Sequence, residues 1–208
     1  AVECLSFSHR VTAPPPHFGI ALEHVVPPSI NQDSLRGVKE AAEKAIQAIG
    51  LKNGIAYPQI IASAVHGARV IEIAARIPGG YMREVALLSS GVDLIEVAIC
   101  QSLGIHLFRP YFETYPKYRA ARVNFLTKLD YPETTKVSKI SGFTNSYDYP
   151  TASDASGILL SECRLKVGMN LPALTSSSAR FAAIIGYGST LIEVNQEIAQ
   201  VQKRVVIE

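Results

Sequence analysis

The 208-residue chain is short of charge, and that shortage excludes several kinds of protein at once. Asp, Glu, Lys and Arg together make up 18% of it, and the formal net charge is +2. There is no Lys/Arg run and no interleaving of basic with aromatic residues, so the electrostatic footprint of a nucleic-acid binder is missing. No apolar stretch approaches the roughly 20 residues that a membrane-spanning helix needs. The first residues, Ala1-Val2-Glu3-Cys4-Leu5, lack the charged n-region and apolar core of a signal peptide. Cysteine is scarce too: Cys4, Cys100 and Cys163 are odd in number and widely spaced, with no Cys-x-x-Cys. That pattern suits reduced thiols in a cytoplasm rather than a disulfide frame. The histidines show no His-x-His or His-x₃-His spacing, which leaves no zinc signal. What is plentiful is apolar side chain, 48% of the residues, enough for one large or two small globular domains.

Against this background one stretch stands out: Val70-Ile71-Glu72-Ile73-Ala74-Ala75-Arg76-Ile77-Pro78-Gly79-Gly80. It reads as a strand carrying one acid, ending at an arginine and breaking into a Pro-Gly-Gly loop. By strand alternation Glu72, Ala74 and Arg76 share a face, while Ile71 and Ile73 point into a core. A lone carboxylate on an apolar strand calls for Arg76, another cation, or a divalent metal beside it. A preceding run, Gly54 to Ala62, reads as a second strand, joined through a turn at Val65-His66-Gly67-Ala68. A turn centred on His66-Gly67 sets Gln59 opposite Ala74 and Ile61 opposite Glu72, so Gln59 and Glu72 are diagonal neighbours on one face. Two oxygen donors so placed suit a hard ion such as Mg²⁺, with phosphate oxygens and water completing its shell. The ordinary alternative is a Gln and a Glu on a solvated face, with Arg76 in a surface ion pair. The Pro78-Gly79-Gly80 loop likewise reads two ways. Its backbone N–H groups suit an anion near a helix start, or it is a plain strand-to-helix turn.

Around this stretch the chain reads as alternating helices and strands. Val2 to Phe7 looks like a strand, residues 8–31 are loop-prone around Pro14-Pro15-Pro16, and His17-Phe18-Gly19 through Val26 suggests an edge strand. Asn31-Gln32-Asp33-Ser34 starts a helix whose apolar positions are Leu35, Val38, Ala42, Ala45 and Ile49, stopped by Gly50. A second helix spans Tyr81 to Ser90, and a third runs from Leu94 to Leu103, capped by Asp93 and ended by Gly104. Farther on, Ala121–Leu126, Gly157–Leu165 and Phe181–Gly186 read as strands. Thr190-Leu191-Ile192-Glu193 has capping-box spacing for a helix to about Lys203, and Val205-Val206-Ile207 closes as a strand. Gly186-Tyr187-Gly188-Ser189-Thr190 lacks the lysine and length of a P-loop and is better read as a turn into that helix.

Taken in order, these features resemble the second half of an ATP-grasp domain, the nucleotide-binding module of carboxylate–amine ligases, biotin carboxylase and carbamoyl phosphate synthetase. The resemblance runs from Glu23-His24-Val25-Val26-Pro27-Pro28, through the helix ending at Ile49-Gly50 and the acid-bearing strand with Arg76, to Gly79-Gly80 and Ser90-Gly91-Val92-Asp93-Leu94. The family's metal strand usually ends Glu-x-Asn-x-Arg. Here it is Glu72-Ile73-Ala74-Ala75-Arg76, with Ala74 in place of the asparagine, and the first metal position is Gln59 rather than the common Glu. The Glu-x-Ala-Ala-Arg form is most similar to the amino-acid ligases that make dipeptides, and Gln59 to carbamoyl phosphate synthetase-like members.

The resemblance implies an α+β fold: the second subdomain of an ATP-grasp fold, an antiparallel sheet with helices, over residues 1–108. A small mixed α/β lobe follows over residues 109–208 and covers the substrate site. It implies ATP with Mg²⁺, or Mn²⁺ in its place, with the metal on Gln59 and Glu72, and Glu23, His24, Gly79 and Gly80 facing the nucleotide. Arg76 is then the catalytic clamp for the acyl oxygens, a task suited to a guanidinium fork. The implied reaction activates a carboxylate as an acyl phosphate and couples it to an amine. The usual lysines and glycine-rich loop of the first subdomain are not in this chain. The expectation is therefore a cytoplasmic enzyme fragment, inactive alone, whose partners are its own N-terminal part, the carboxylate and amine substrates, and a second copy in a homodimer. The departures at Gln59 and Ala74 keep two alternatives open: a degenerate, non-catalytic ATP-grasp module, and a bicarbonate-using carboxylase or carbamoyl phosphate synthetase-like enzyme.

Overall fold

The computed structural model describes residues 2–17, 19–105 and 116–208. By contacts the chain divides into two compact units, Ala1–Phe7 with Pro28–Thr114, and Ser8–Pro27 with Tyr115–Glu208. The sequence reading put residues 8–27 in the first half. Their hydrogen bonding puts them in the second, because β2 (Ala21–Val26) pairs antiparallel with β5 (Ala120–Leu126). The expected boundary at 108/109 itself lies outside the described residues, as does Phe18.

In the first unit, α1 (Gln32–Ala48) begins where the Asn31 side chain accepts the Ser34 N–H at 2.8 Å. It ends at Gly50, whose φ of +71° is the left-handed geometry that glycine adopts without penalty. Its buried residue is Ile46, which the expected apolar stripe did not include, whereas Ile49 of that stripe sits at the cap and is exposed. α1 lies against a two-stranded hairpin, β3 (Tyr57–Ser63) and β4 (Gly67–Ala74). In that hairpin Gln59 stands directly opposite Glu72, and Ile60 opposite Val70. Ile71 is thus the extra residue of a β-bulge. The sequence reading lacked this bulge and placed the pairing two residues away. A shift of two keeps a side chain on its face, so the shared face of Gln59 and Glu72 stands while their spacing tightens. The expected core position of Ile71 does not hold: it is 61% exposed. A bulged ribbon covered by a single helix has too little over it to bury every apolar side chain. Beyond the hairpin, α2 (Met82–Ser90) and α3 (Leu94–Ser102) follow, α3 capped by Asp93 as read from the sequence.

The second unit is built on an antiparallel sheet ordered β1-β2-β5-β8-β7, where β1 is His9–Thr12, β7 is Gly157–Cys163 and β8 is Ala182–Gly188. The first strand is therefore β1. The Val2–Phe7 run expected to be a strand has no sheet assignment, since apolar alternation alone supplies no hydrogen-bonding neighbour. β2 is interior rather than an edge, flanked by β1 and β5. On one face α4 (Leu191–Arg204) buries Val194, Ile198 and Val201 against Ala120 and Ile184. Its first turn carries the complete capping box of Thr190 and Glu193. The glycine pair thought to precede it, Gly186 and Gly188, lies within β8. A short ladder joins β6 (Ile140–Ser141) to β9 (Val206–Ile207) beside a core of Leu126, Val137, Leu171 and Phe181.

Candidate functional site

The hairpin of the first unit brings together the two residues expected to hold a metal. Gln59 and Glu72 are directly paired across β3 and β4, and the Gln59 Nε2 donates to Glu72 Oε1. The pair is exposed, so the Glu72 carboxylate is solvated and does not require a cation to stand there. Among the described residues no group of three or more His, Cys, Asp or Glu side chains gathers to form a metal cage. One carboxylate and one amide oxygen (available if the Gln59 amide turns over) fit a Mg²⁺ ion only as part of its shell. That is the usual way Mg²⁺ is held when substrate phosphates and water supply the rest.

Arg76 lies just past the end of β4 rather than within it, and is exposed. Its Nη1 donates to the Ile77 carbonyl at 3.0 Å, and among the described residues no carboxylate meets it. It borders a cleft of about 340 Å³ that Asn53, Gly54, Gln101 and Ser102 also line. The Gln101 Oε1 there is buried and has no hydrogen-bond partner among the described residues. Gly79 has open space where a Cβ would stand, and Gly80 has φ +66°. Tyr81 follows at φ +61°, a conformation that costs a bulky side chain roughly 1–3 kcal/mol. The two left-handed residues turn the chain sharply into α2. Nothing in the sequence pattern flagged Tyr81, because helix-start signals concern caps rather than the sign of φ.

The sequence reading also passed over Arg83. From α2 it grips Asp93 through both carboxylate oxygens, Nε to Oδ1 at 2.9 Å and Nη2 to Oδ2. Burial works to raise the Asp93 carboxyl. The Arg83 hydrogen bonds and the Ile95 N–H outweigh it and hold the group below its ordinary range. The cap that starts α3 is therefore also the anchor of α2.

Glu23 and His24, expected together at a nucleotide, are split by the period of the strand. Glu23 pairs with Asn124, His24 with Val123, and the two side chains take opposite faces of the sheet. No single bound molecule on one face reaches both. Glu23 meets Arg122 at 2.6 Å on the face that α4 covers. His24 is buried, edge-on to Phe125 with centroids 6.2 Å apart, and directly across from Arg10. Burial, then the charges of Arg10 and Arg180, push the imidazole down to about 4, so it is neutral at neutral pH.

No protein-family model matches the chain, and no curated protein matches it by sequence. Solved structures do match it by fold. Phosphoribosylglycinamide synthetase from Anaerococcus prevotii matches at a TM-score of 0.74 and 18% identity, over 97% of this chain and 48% of that one. L-amino acid ligase from Bacillus licheniformis matches at 0.72 and 16%, over 98% and 50%. A biotin carboxylase from Campylobacter jejuni, solved with β,γ-ATP, matches at 0.60 and 16%, over 90% and 39%. The fold is thus that of part of an ATP-grasp domain, α+β with an antiparallel sheet and helices. The chain spans about half the length of the first two structures.

Proposed function

We propose that this chain is the metal- and substrate-binding half of an ATP-dependent ligase that activates a carboxylate as an acyl phosphate and joins it to an amine. The observation that carries the reading is the hairpin. A carboxylate and an amide are directly paired on one face, and the same strand leads within a few residues to an arginine and a Gly-Gly turn. Support comes from the fold shared with an amino acid ligase and a glycinamide synthetase.

In this reading Glu72, with Gln59 turned to present its oxygen, would hold part of the shell of Mg²⁺ or Mn²⁺, which when bound would supply positive charge against a transferring phosphoryl group. Arg76, which meets no carboxylate among the described residues, holds the acyl oxygens through its planar fork. The open backbone at Gly79 and Gly80 admits a close oxyanion next to the start of α2. This reading assigns no nucleotide role to Glu23, which pairs with Arg122. His24 sits on the other face as a buried neutral group. The lysines that hold nucleotide in the resembling family come from polypeptide outside these 208 residues.

The test is ADP release with Mg²⁺ from a polypeptide that contains this chain, screened against pools of amino acids, other carboxylates, amines and bicarbonate. Release that needs an acid–amine pair, and that Glu72→Ala abolishes, is the expected outcome. Release with bicarbonate alone would replace the reading with a carboxylase. Nucleotide binding with no release in any pool would replace it with a non-catalytic module. A Glu72→Ala protein of full activity would remove Glu72 from the metal.

A further inference from the structure

The second unit contains a cavity that the hairpin reading does not use. It has a volume of about 320 Å³, and its walls include Glu23, Arg122, Asn124, Asn195, Ile198 and Gln202. This is the low end of the size of small-molecule sites, and room for several times the ~30 Å³ share of one water. These residues belong to the second unit, from β2, β5 and α4, and Asp130 lines the cavity as well, its carboxylate already accepting the Thr127 N–H at 2.7 Å and the Thr127 hydroxyl at 3.2 Å.

Charge in the wall is arranged in an unusual way. Arg122 Nη2 meets Glu23 Oε1 at 2.6 Å, while Nη1 donates to Asn195 Oδ1 at 2.6 Å. The remaining nitrogen, Nε, is buried and has no hydrogen-bond partner among the described residues. Nε and Nη2 form one edge of the guanidinium, the edge that grips a carboxylate bidentately. Glu23 as placed makes its ion pair with Nη2 only. Its side chain and that of Arg122 are each about four-fifths buried, at 23% and 21% exposed.

We propose that this cavity binds a free α-amino acid. Its carboxylate takes the Nε–Nη2 edge of Arg122 and its ammonium takes the displaced Glu23 carboxylate. The amides of Asn124, Asn195 and Gln202 stand beside the polar end, and Ile198 offers an apolar surface to the side chain. The selection of a zwitterion follows from charge. A lone anion on Arg122 strands the largely buried Glu23 carboxylate, and a lone cation on Glu23 strands Arg122. Leaving one partner of such a pair uncompensated is costly. A zwitterion exchanges one ion pair for two and leaves nothing stranded. The assignment requires no nucleotide or metal and stands apart from the ligase reading of Gln59, Glu72 and Arg76.

Isothermal titration of the chain with glycine, alanine, glutamine and glutamate, without nucleotide or divalent ion, tests it. Acetate and methylamine are the single-charge probes. At least one amino acid should bind, with both single-charge probes much weaker. Glu23→Gln and Arg122→Gln should each weaken binding by roughly tenfold or more. Asn195 and Gln202 are exposed on α4, so Asn195→Ala and Gln202→Ala spare the core and should weaken it by a few fold. Glu72→Gln should bind as the unsubstituted chain does. The proposal is overturned if no amino acid binds, or if acetate or methylamine binds as well as the zwitterion. It is also overturned if Glu72→Gln abolishes binding while Glu23→Gln and Asn195→Ala retain it, which would place the ligand at the hairpin.

Discussion

The behaviour of single residues here is set by which sheet face they occupy. His24 and Glu23 are neighbours in sequence, yet one lies among Phe125, Arg10 and Arg180 and the other against Arg122. The His24 imidazole titrates at about 4, against 6.5 for an ordinary histidine. Between those values the unfolded chain binds the proton and the folded one does not, so stability rises with pH across the window and falls as pH drops from 6.5 to 4. The full effect is on the order of 3 kcal/mol, since each pKa unit corresponds to about 1.4 kcal/mol. Chemical denaturation at pH 4.5 and pH 7 measures it. His24→Leu should flatten the slope over this range, and an unchanged slope would show that His24 is not its source.

At the scale of elements, caps and close approaches decide where helices and strands stop. α4 is fixed at its start by the reciprocal Thr190–Glu193 box and at its end by contact with the β6–β9 ladder. Gly142, next to β6, makes that end possible. Its φ is +90°, and a Cβ there would lie 2.2 Å from the Arg204 carbonyl oxygen and 2.8 Å from the Val205 Cα. These are backbone atoms, which cannot swing aside. Gly142→Ala should therefore cost several kcal/mol, roughly 3 or more, through strain together with the forced displacement. A melting temperature within a degree of the unsubstituted chain would contradict this. Gly50→Ala has only unfavourable φ and no clash, and should cost less, about 1 kcal/mol.

For the molecule as a whole, the match over nearly its entire length to structures about twice as long sets the expectation for activity. The 208-residue chain by itself should release no ADP with Mg²⁺ and any acid–amine pair. Coupled-enzyme detection of ADP checks this directly, and turnover by the isolated chain would mean that it carries its own phosphate-holding groups. No helix among the described residues is long and apolar enough to cross a membrane.

Much was legible in the sequence because it is written in local chemistry. Asn31, Asp93 and Thr190 announce helix starts by accepting backbone N–H groups one turn ahead, and all three do so in the structure. The acid-bearing strand, its hairpin partner and the shared face of Gln59 and Glu72 follow from alternation, which survives a register error of two. What local chemistry could not carry is anything that depends on a distant partner. The bulge at Ile71 exists only once β3 is alongside, so the exposure of Ile71 was invisible. Glu23 read as a nucleotide-facing acid, and its ion pair with Arg122 came into view only when β5, about a hundred residues away, lay beside β2. The move of residues 8–27 into the second unit is decided by the same pairing of β2 with β5, because a strand belongs to whatever satisfies its backbone. The sequence alone determined the capped helices, the hairpin strands and the chemistry available there, but not the first strand, which is His9–Thr12 rather than Val2–Phe7. Tertiary structure alone decided which side chains meet, since a sheet joins residues by hydrogen bonds between strands and not by their order in the chain.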